Sequence, residues 1–595
     1  MVHAPLASSH WQVGSPAQFP GTTVGGVLRA VAARFPDRTA LVFGDRWWSY
    51  GDLLAEATDG ARALLASFIP GDVVAVWAEN CAQWVALEFA AGLAGLTLVP
   101  VNPAARADEV TYVLAHSGAR GIFVGTDRSG SSRTDVLRVV ADRLPSLRFV
   151  ISLSEWDALR AIGSLGLPAS VTGRPATEIS LPEVDPDNTA QILYTAGTTG
   201  RPKAALLTHR GLTNNARLAA RALGGRDGDT IINPLPLSHV TGCGLTTLGI
   251  AQLSGTHVLT PWVDAASLLA LAERHRGRLL CADPAMVAAM LGEVTPGSRD
   301  LSSLRAVVSG GAPLPPELAL GAETALGVPV LAGLFQTEAG CVITAASPDD
   351  ALADRLGGVG RPLPGTEVKI TDLRTGGILP CGEVGEIRVR GGQVMRGYLD
   401  DPWLTAEVLD DDGWLRTGDL GAMDSRGYCR IVGRIHELIV RGGQYVYPRE
   451  IEAVLGDHPA VAEVAVVGIP DRFWGESVAA MVRLARPLEG PALELTEYCG
   501  DRLASFKIPV RWLFVDSFPR TAHGAVRKIA LTTRLADATE PDWESWTART
   551  PADLAEIFGS RDPGPPDLSG PFADLLGLQV PPQEPRSKAL EDIEY

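Results

Sequence analysis

Tyr194–Gly211 reads YTAGTTGRPKAALLTHRG, which has the composition of a loop built around phosphate oxygens. Thr195, Gly197, Thr198, Thr199 and Gly200 are small or carry hydroxyls. Backbone N–H groups in such a loop approach an anion closely, and the threonines add side-chain donors. Lys203 then supplies a compact positive charge. The string is not a Walker A loop, which needs Gly and Lys adjacent, because Arg201 and Pro202 separate Gly200 from Lys203. The pattern predicts a strand over Gln191–Thr195, then the loop, then a helix-forming stretch after Lys203. Ten His and seven Cys are scattered without the spacing of a metal-ligand set.

Further segments follow this loop in a fixed order: LPLSHVTG (Leu235–Gly242), SGGAPLPPEL (Ser309–Leu318), QTE (Gln336–Glu338), GWLRTGDLG (Gly413–Gly421) and GRIHELIVRGGQYVYPREIE (Gly433–Glu452). Together, from about Phe35 to Leu531, the chain resembles the AMP-forming adenylating enzymes, which comprise acyl-CoA synthetases, nonribosomal adenylation domains and firefly luciferase. The resemblance implies a role for each matched residue. His239 would lie beside the acyl site, and Gly310, Gly311, Ala312 and Pro313 would line the nucleotide and acyl pocket. Gln336 and Thr337 would contact the nucleotide, and Glu338 would hold Mg2+. Asp419 would take the ribose, and Arg434 would also contact the nucleotide. His436 would mark a hinge, and Gly442 and Gly443 would line the tunnel for an acceptor.

These roles suit a two-step reaction. An acid oxygen attacks the α-phosphorus of ATP, giving an acid–AMP anhydride and pyrophosphate, and the activated group then passes to an acceptor, by default CoA. Such a first step is driven by charge neutralisation and in-line positioning more than by a covalent nucleophile. Lys203 would balance the leaving pyrophosphate. Glu338 is a hard oxygen ligand suited to Mg2+, which keeps phosphates and water as its other ligands. Asp419 accepts diol hydroxyls as acidic residues do in other nucleotide sites.

Three departures from the family pattern sharpen the expectation. Leu334 replaces the aromatic residue that stacks on adenine, leaving an apolar contact. Phe335 replaces a glycine at the floor of the acyl pocket, and a ring there implies a small acid. In PRTAHGAVRK (Pro519–Lys528), Ala525 stands where the family places its catalytic lysine. An introduced Lys→Ala change, a natural variant using Arg527 or Lys528, and a weakened adenylation step all fit that substitution. Two other functions stay open: a biosynthetic ligase or diazotase joining an activated acid, nitrite included, to an amine; and a nucleotide-binding pseudoenzyme or scaffold.

The elements that must position these residues follow from the hydrophobic rhythm. Strand-like runs alternate with Ala- and Leu-rich helical stretches through the first 330 residues, which implies an α/β fold with parallel-type sheets and helices on their faces. From about residue 357 to 434 the texture changes to short strands between Gly and Pro, suggesting a small β-barrel or sheet. The expected organisation is a body over 1–434, a small mobile α+β lid over 435–540, and an acidic, Pro-rich tail over 541–595. That tail holds 11 acidic and 4 basic residues, so it reads as solvated chain or, through Phe572, Leu575, Leu576 and Leu578, as a docking segment for a protein partner. A net charge of −17 argues against gripping nucleic acid, and no apolar run is long enough to span a bilayer. The odd cysteine count and the absence of a signal-peptide pattern lead to the expectation of a cytoplasmic protein.

Overall fold

The helix Ala82–Ala94, AQWVALEFAAGLA, is apolar on every side, and all of its residues except Gln83 are buried. A helix of that kind is stable only when covered all round. It touches strand Thr97–Pro100 of one sheet and strand Thr39–Phe43 of another, and it packs beside helices Val24–Arg34 and Tyr50–Leu65. Close approach of the first pair depends on Gly92, where an added Cβ would come within 2.9 Å of Val24 Cβ. Tyr50–Leu65 begins in a capping box, with Ser49 and Asp52 each satisfying the other's backbone N–H.

The computed structural model describes residues 5–12, 19–126, 133–165, 179–195, 202–261, 264–294, 299–310, 314–441, 444–471, 474–520, 526–528 and 530–532. They fall into two units, the first holding the described residues up to His436 together with Arg520, the second those from Glu437 to Pro519 and from Val526 onward.

The first unit contains three sheets. A nine-stranded sheet runs Arg361–Pro362, Cys341–Ala345, Val330–Gln336, Ala306–Ser309, Leu279–Cys281, Thr230–Asn233, Thr256–Leu259, Thr39–Phe43 and Arg46–Ser49. Its middle, from Val330–Gln336 to Thr39–Phe43, is parallel, and both ends are antiparallel. A six-stranded sheet runs Phe149–Ser152, Gly121–Val124, Val73–Trp77, Thr97–Pro100, Thr189–Thr195 and Lys203–Thr208, with only the last strand antiparallel. Open α/β sheets of this kind place ligands beyond the carboxyl ends of their strands. Ser309, Gln336 and Thr195 end three of these strands.

The third sheet is antiparallel: His10–Trp11, Glu367–Thr371, Gly385–Arg390, Leu415–Met423 and Cys429–Arg434. Its outer strands do not pair with each other among the described residues, so of the small barrel or sheet expected here the described strands form a sheet. A barrel closes only when its end strands pair, and the two-residue strand His10–Trp11 pairs with Glu367–Thr371 alone.

In the second unit, strands Gln444–Val446, Ile439–Arg441, Gly475–Leu484, Val461–Asp471 and Arg511–Phe514 carry helices Pro448–Gly456 and Pro491–Gly500. Trp512 is wholly buried at the centre of this unit's core, among Ile451, Leu455, Val478 and Leu495. Its indole N–H donates to the buried Thr496 Oγ1 at 3.1 Å, so the ring's polar atom is satisfied inside the core.

Candidate active site

The phosphate-type loop joins two antiparallel strands. Lys203–Thr208 is a strand paired along Thr189–Thr195, with Thr195 directly opposite Lys203. This corrects the expected helix after Lys203. KAALLT buries Ala204, Ala205 and Leu207 against the sheet, and the helix starts only at His209, where Thr208 caps it by accepting from Gly211 N–H. The chain segment that follows the loop is therefore a strand, and Lys203 is its first residue. Gly197, Thr198, Thr199 and Gly200 lie outside the described residues.

Glu338 follows the strand Val330–Gln336 in a short turn, Thr337–Ala339, and is 8 % exposed, as is Thr337. Its Oε1 accepts from Thr195 Oγ1 at 3.2 Å and from Tyr398 Oη at 2.9 Å. Lys203 Nζ sits 5.5 Å from the centre of the Tyr398 ring. Thr195 and Lys203 of the Tyr194–Gly211 segment and Glu338 of the QTE segment thus meet around one tyrosine. Sequence reasoning missed Tyr398. The signal it overlooked is the string RGYLDDP (Arg396–Pro402), which sits between matched motifs without a hydroxyl pattern of its own. Burial, and then the charge of Glu338, push the Tyr398 hydroxyl well above the usual phenol range, so it stays a donor.

Asp419 and Arg434 face each other across neighbouring antiparallel strands, with Arg434 Nε donating to Asp419 Oδ1 at 3.2 Å. Asp419 is 7 % exposed, and its backbone N–H is held by Thr417 Oγ1. Gln336 reaches the same corner, donating from Nε2 to the Thr417 carbonyl at 3.3 Å. Its Oε1 is buried and has no partner among the described residues. A buried acceptor without a donor is costly unless a ligand supplies one, and a nucleotide's hydroxyl or amino groups have that chemistry. ATP fits this corner on the observation of the buried Gln336 Oε1, whose residue and Asp419 both bond Thr417.

The expected acyl wall is partly described. The Phe335 ring lies against Gly310: a Cβ built there would fall 2.4 Å from its Cε2. The ring also covers Gly333, at 3.0 Å from the corresponding Cβ position. Leu334, expected to offer adenine an apolar contact, is 3 % exposed and packs into the main core. A register shift between Leu334 and Phe335 accompanies this division of the two side chains. Ser309, one residue before Gly310, has a buried hydroxyl with no partner. His239 is half-buried, with Nδ1 2.9 Å from Thr241 Oγ1 at the head of a π-helical stretch, Thr241–Gly249. Such stretches recur at functional sites. Gly311, Ala312 and Pro313 lie outside the described residues.

The Mg2+ expectation rests on Glu338 alone. Among the described residues no group of three His, Cys, Asp or Glu could hold a metal. One buried carboxylate fits an ion whose remaining ligands are phosphate oxygens and water.

In the second unit, Lys528 Nζ is tied to Glu437 Oε2 at 3.0 Å and to Glu452 Oε1 at 2.7 Å. With both carboxylates bound and little side-chain exposure, Lys528 is engaged inside its own unit, which removes support from it as a substitute for the missing lysine. Arg527 is exposed. Ala525, Gly442, Gly443 and the 541–595 tail lie outside the described residues.

Residues 28–399 match the model of the AMP-binding enzyme family, and residues 450–525 match that of the AMP-binding enzyme C-terminal domain. The chain belongs to this family: it is an AMP-forming, ATP-using acid ligase of the acyl-CoA synthetase type. Among curated relatives, it is 34 % identical over 535 residues to a putative acyl-CoA synthetase, YngI, of Bacillus subtilis, covering 86 % of this chain and 96 % of that one. It is 33 % identical to the mitochondrial medium-chain acyl-CoA ligase ACSF2 of Mus musculus, covering 86 % and 87 %. Among solved structures, ATP-bound MatB from Rhodopseudomonas palustris superposes with a TM-score of 0.77 at 28 % identity, covering 87 % of this chain and 99 % of that one. The o-succinylbenzoate CoA synthetase MenE of Bacillus subtilis, in complex with ATP and magnesium ion, gives 0.73 at 31 %, covering 86 % and 99 %.

The relatives also correct the expected cytoplasmic location. The ACSF2 ligases matched across several vertebrates are mitochondrial. Free cysteines and an acidic composition suit either compartment, so they carry no such distinction. Among the described residues, no helix is long and apolar enough to cross a membrane.

Proposed function

We propose that this ligase activates a small carboxylic acid and transfers it to CoA. The carboxylate oxygen attacks the α-phosphorus of ATP, the bond to the β,γ-diphosphate breaks, and acyl-AMP and pyrophosphate form. The CoA thiolate then attacks the acyl carbon, and AMP leaves with the electron pair. Within this reading, Lys203 sits towards the phosphates and Thr195 and Tyr398 orient Glu338. Asp419, steadied by Arg434, accepts the ribose hydroxyls, and Gln336 Oε1 takes a nucleotide donor. Magnesium, held by Glu338, supplies neutralisation of phosphate charge. Phe335 and Gly310 bound the acyl pocket, with His239 and Ser309 nearby.

The observation that carries the substrate class is the Phe335 ring seated on Gly310, which occupies space that a glycine at 335 would leave to the acid. Activation of anthranilate and o-succinylbenzoate by structural neighbours supports a carboxylate substrate and a CoA acceptor. The test is acid-dependent pyrophosphate release across a chain-length series, with and without CoA. Highest kcat/KM for acids of two to four carbons supports the reading. Preference for medium-chain acids, as the ACSF2 name would have it, refutes the substrate class.

A further inference from the structure

We propose that Tyr398 is the positioning residue that fixes Glu338 and Lys203 relative to each other for the metal–nucleotide complex. The inference rests on Glu338 as the metal ligand.

The hydroxyl of Tyr398 and that of Thr195 both donate to Oε1 of Glu338, at 2.9 and 3.2 Å. Both bonds fall on one oxygen, so the carboxylate is held through Oε1, and among the described residues no hydrogen bond falls on Oε2, leaving it for a cation or its water. The ring of the same tyrosine lies 5.5 Å from Lys203 Nζ, within the range at which an ammonium is drawn to an aromatic face. A single side chain therefore sets both the anion and the cation of the site.

The tyrosine is itself immobilised by backbone. Leu206 N–H donates to Gly397 O at 3.0 Å, Leu399 N–H to Ala204 O at 2.9 Å, and Met395 N–H to Glu338 O at 2.8 Å. Residues 395–399 are thus stitched to the Lys203 strand on one side and to the Glu338 turn on the other. Tyr398 is 7 % exposed. Hydrogen-bond partners that orient a metal-ligating carboxylate change metal affinity by about 10–100-fold when removed.

Tyr398→Phe removes the hydroxyl and keeps the ring under Lys203. The assay is Mn2+ binding in the presence of ATP, followed by electron paramagnetic resonance on the full chain without acid. The expected result is about 10–100-fold weaker Mn2+ binding, with ATP affinity in the absence of metal and the thermal midpoint close to the parent's. A purely structural tyrosine would lower the midpoint and leave Mn2+ affinity unmoved. Glu338→Gln, run in parallel, separates two failures. If it weakens Mn2+ binding and Tyr398→Phe does not, the inference about Tyr398 is overturned and the site reading stands. If neither variant changes Mn2+ binding, both fall. Should Tyr398→Phe not fold, Thr195→Val removes the other hydroxyl on Oε1 and carries the same expected loss, with unchanged affinity overturning the shared-oxygen arrangement.

Discussion

Replacing Phe335 by glycine tests the pocket most directly, because its ring fills space over Gly310 and Gly333. Removing a wholly buried phenyl ring typically costs about 3–5 kcal/mol. Phe335 is only partly buried, packed at the margin of the main core, so about 2 kcal/mol is the corresponding stability loss. The freed space is large enough for several methylenes. A pocket gains about 0.8 kcal/mol for each CH2 it newly buries, so an acid longer by three carbons gains roughly 2.4 kcal/mol, or about 50-fold in kcat/KM. The assay is pyrophosphate release from acids of two to eight carbons, with parent and variant compared at equal folded fraction. The expected pattern is a shift of the optimum by about three carbons, with the shortest acids losing rate. An unchanged optimum would show that the ring does not bound the acyl site.

Lys203→Ala is expected to lower kcat/KM for ATP at least tenfold, about 1.4 kcal/mol, read as pyrophosphate formation; an unchanged rate would remove Lys203 from the phosphate site. His209, buried with Nδ1 accepting from Val24 N–H, is held down to about 4 by desolvation, against an ordinary value of 6.5. The unfolded chain therefore binds this proton first, and stability is lost as pH falls from about 6.5 towards 4, by at most about 3 kcal/mol. Thermal midpoints across that window should fall more steeply for the parent than for His209→Asn, and equal slopes would exclude this group. Ala525→Lys should raise acid-dependent pyrophosphate release by about 100- to 1000-fold, the usual worth of one transition-state donor, while transfer from a supplied acyl-adenylate stays the same. No gain would mean that another cation, Arg527 being exposed, already serves.

The alternation of strands and helices was legible because buried strands such as Val73–Trp77 and Ala306–Ser309 are continuous apolar runs bounded by turns. KAALLT misled because Ala and Leu favour helices while pairing with Thr189–Thr195 decides the outcome. Motif residues such as Glu338, Asp419 and Arg434 could be picked out one by one, yet Tyr398 and the pairing of these side chains could not. Tyr398 lies 60 residues from Glu338 and is brought to it by backbone bonds of the 395–399 segment, while Arg434 lies 15 from Asp419 and is brought to it by strand register. That difference has a chemical consequence. A phosphate loop that opens onto a helix draws part of its positive potential from aligned backbone dipoles. A loop closing an antiparallel hairpin has no such axis, since strand dipoles alternate. The flanking strands add no such dipole, so cationic side chains and a bound cation are the sources of positive charge on this hairpin. Lys203, opposite Thr195 and over the Tyr398 ring, stands where the hairpin places that charge, and Glu338 stands where it would hold the cation. Register across the hairpin, more than the composition of the loop, sets the electrostatics of the site.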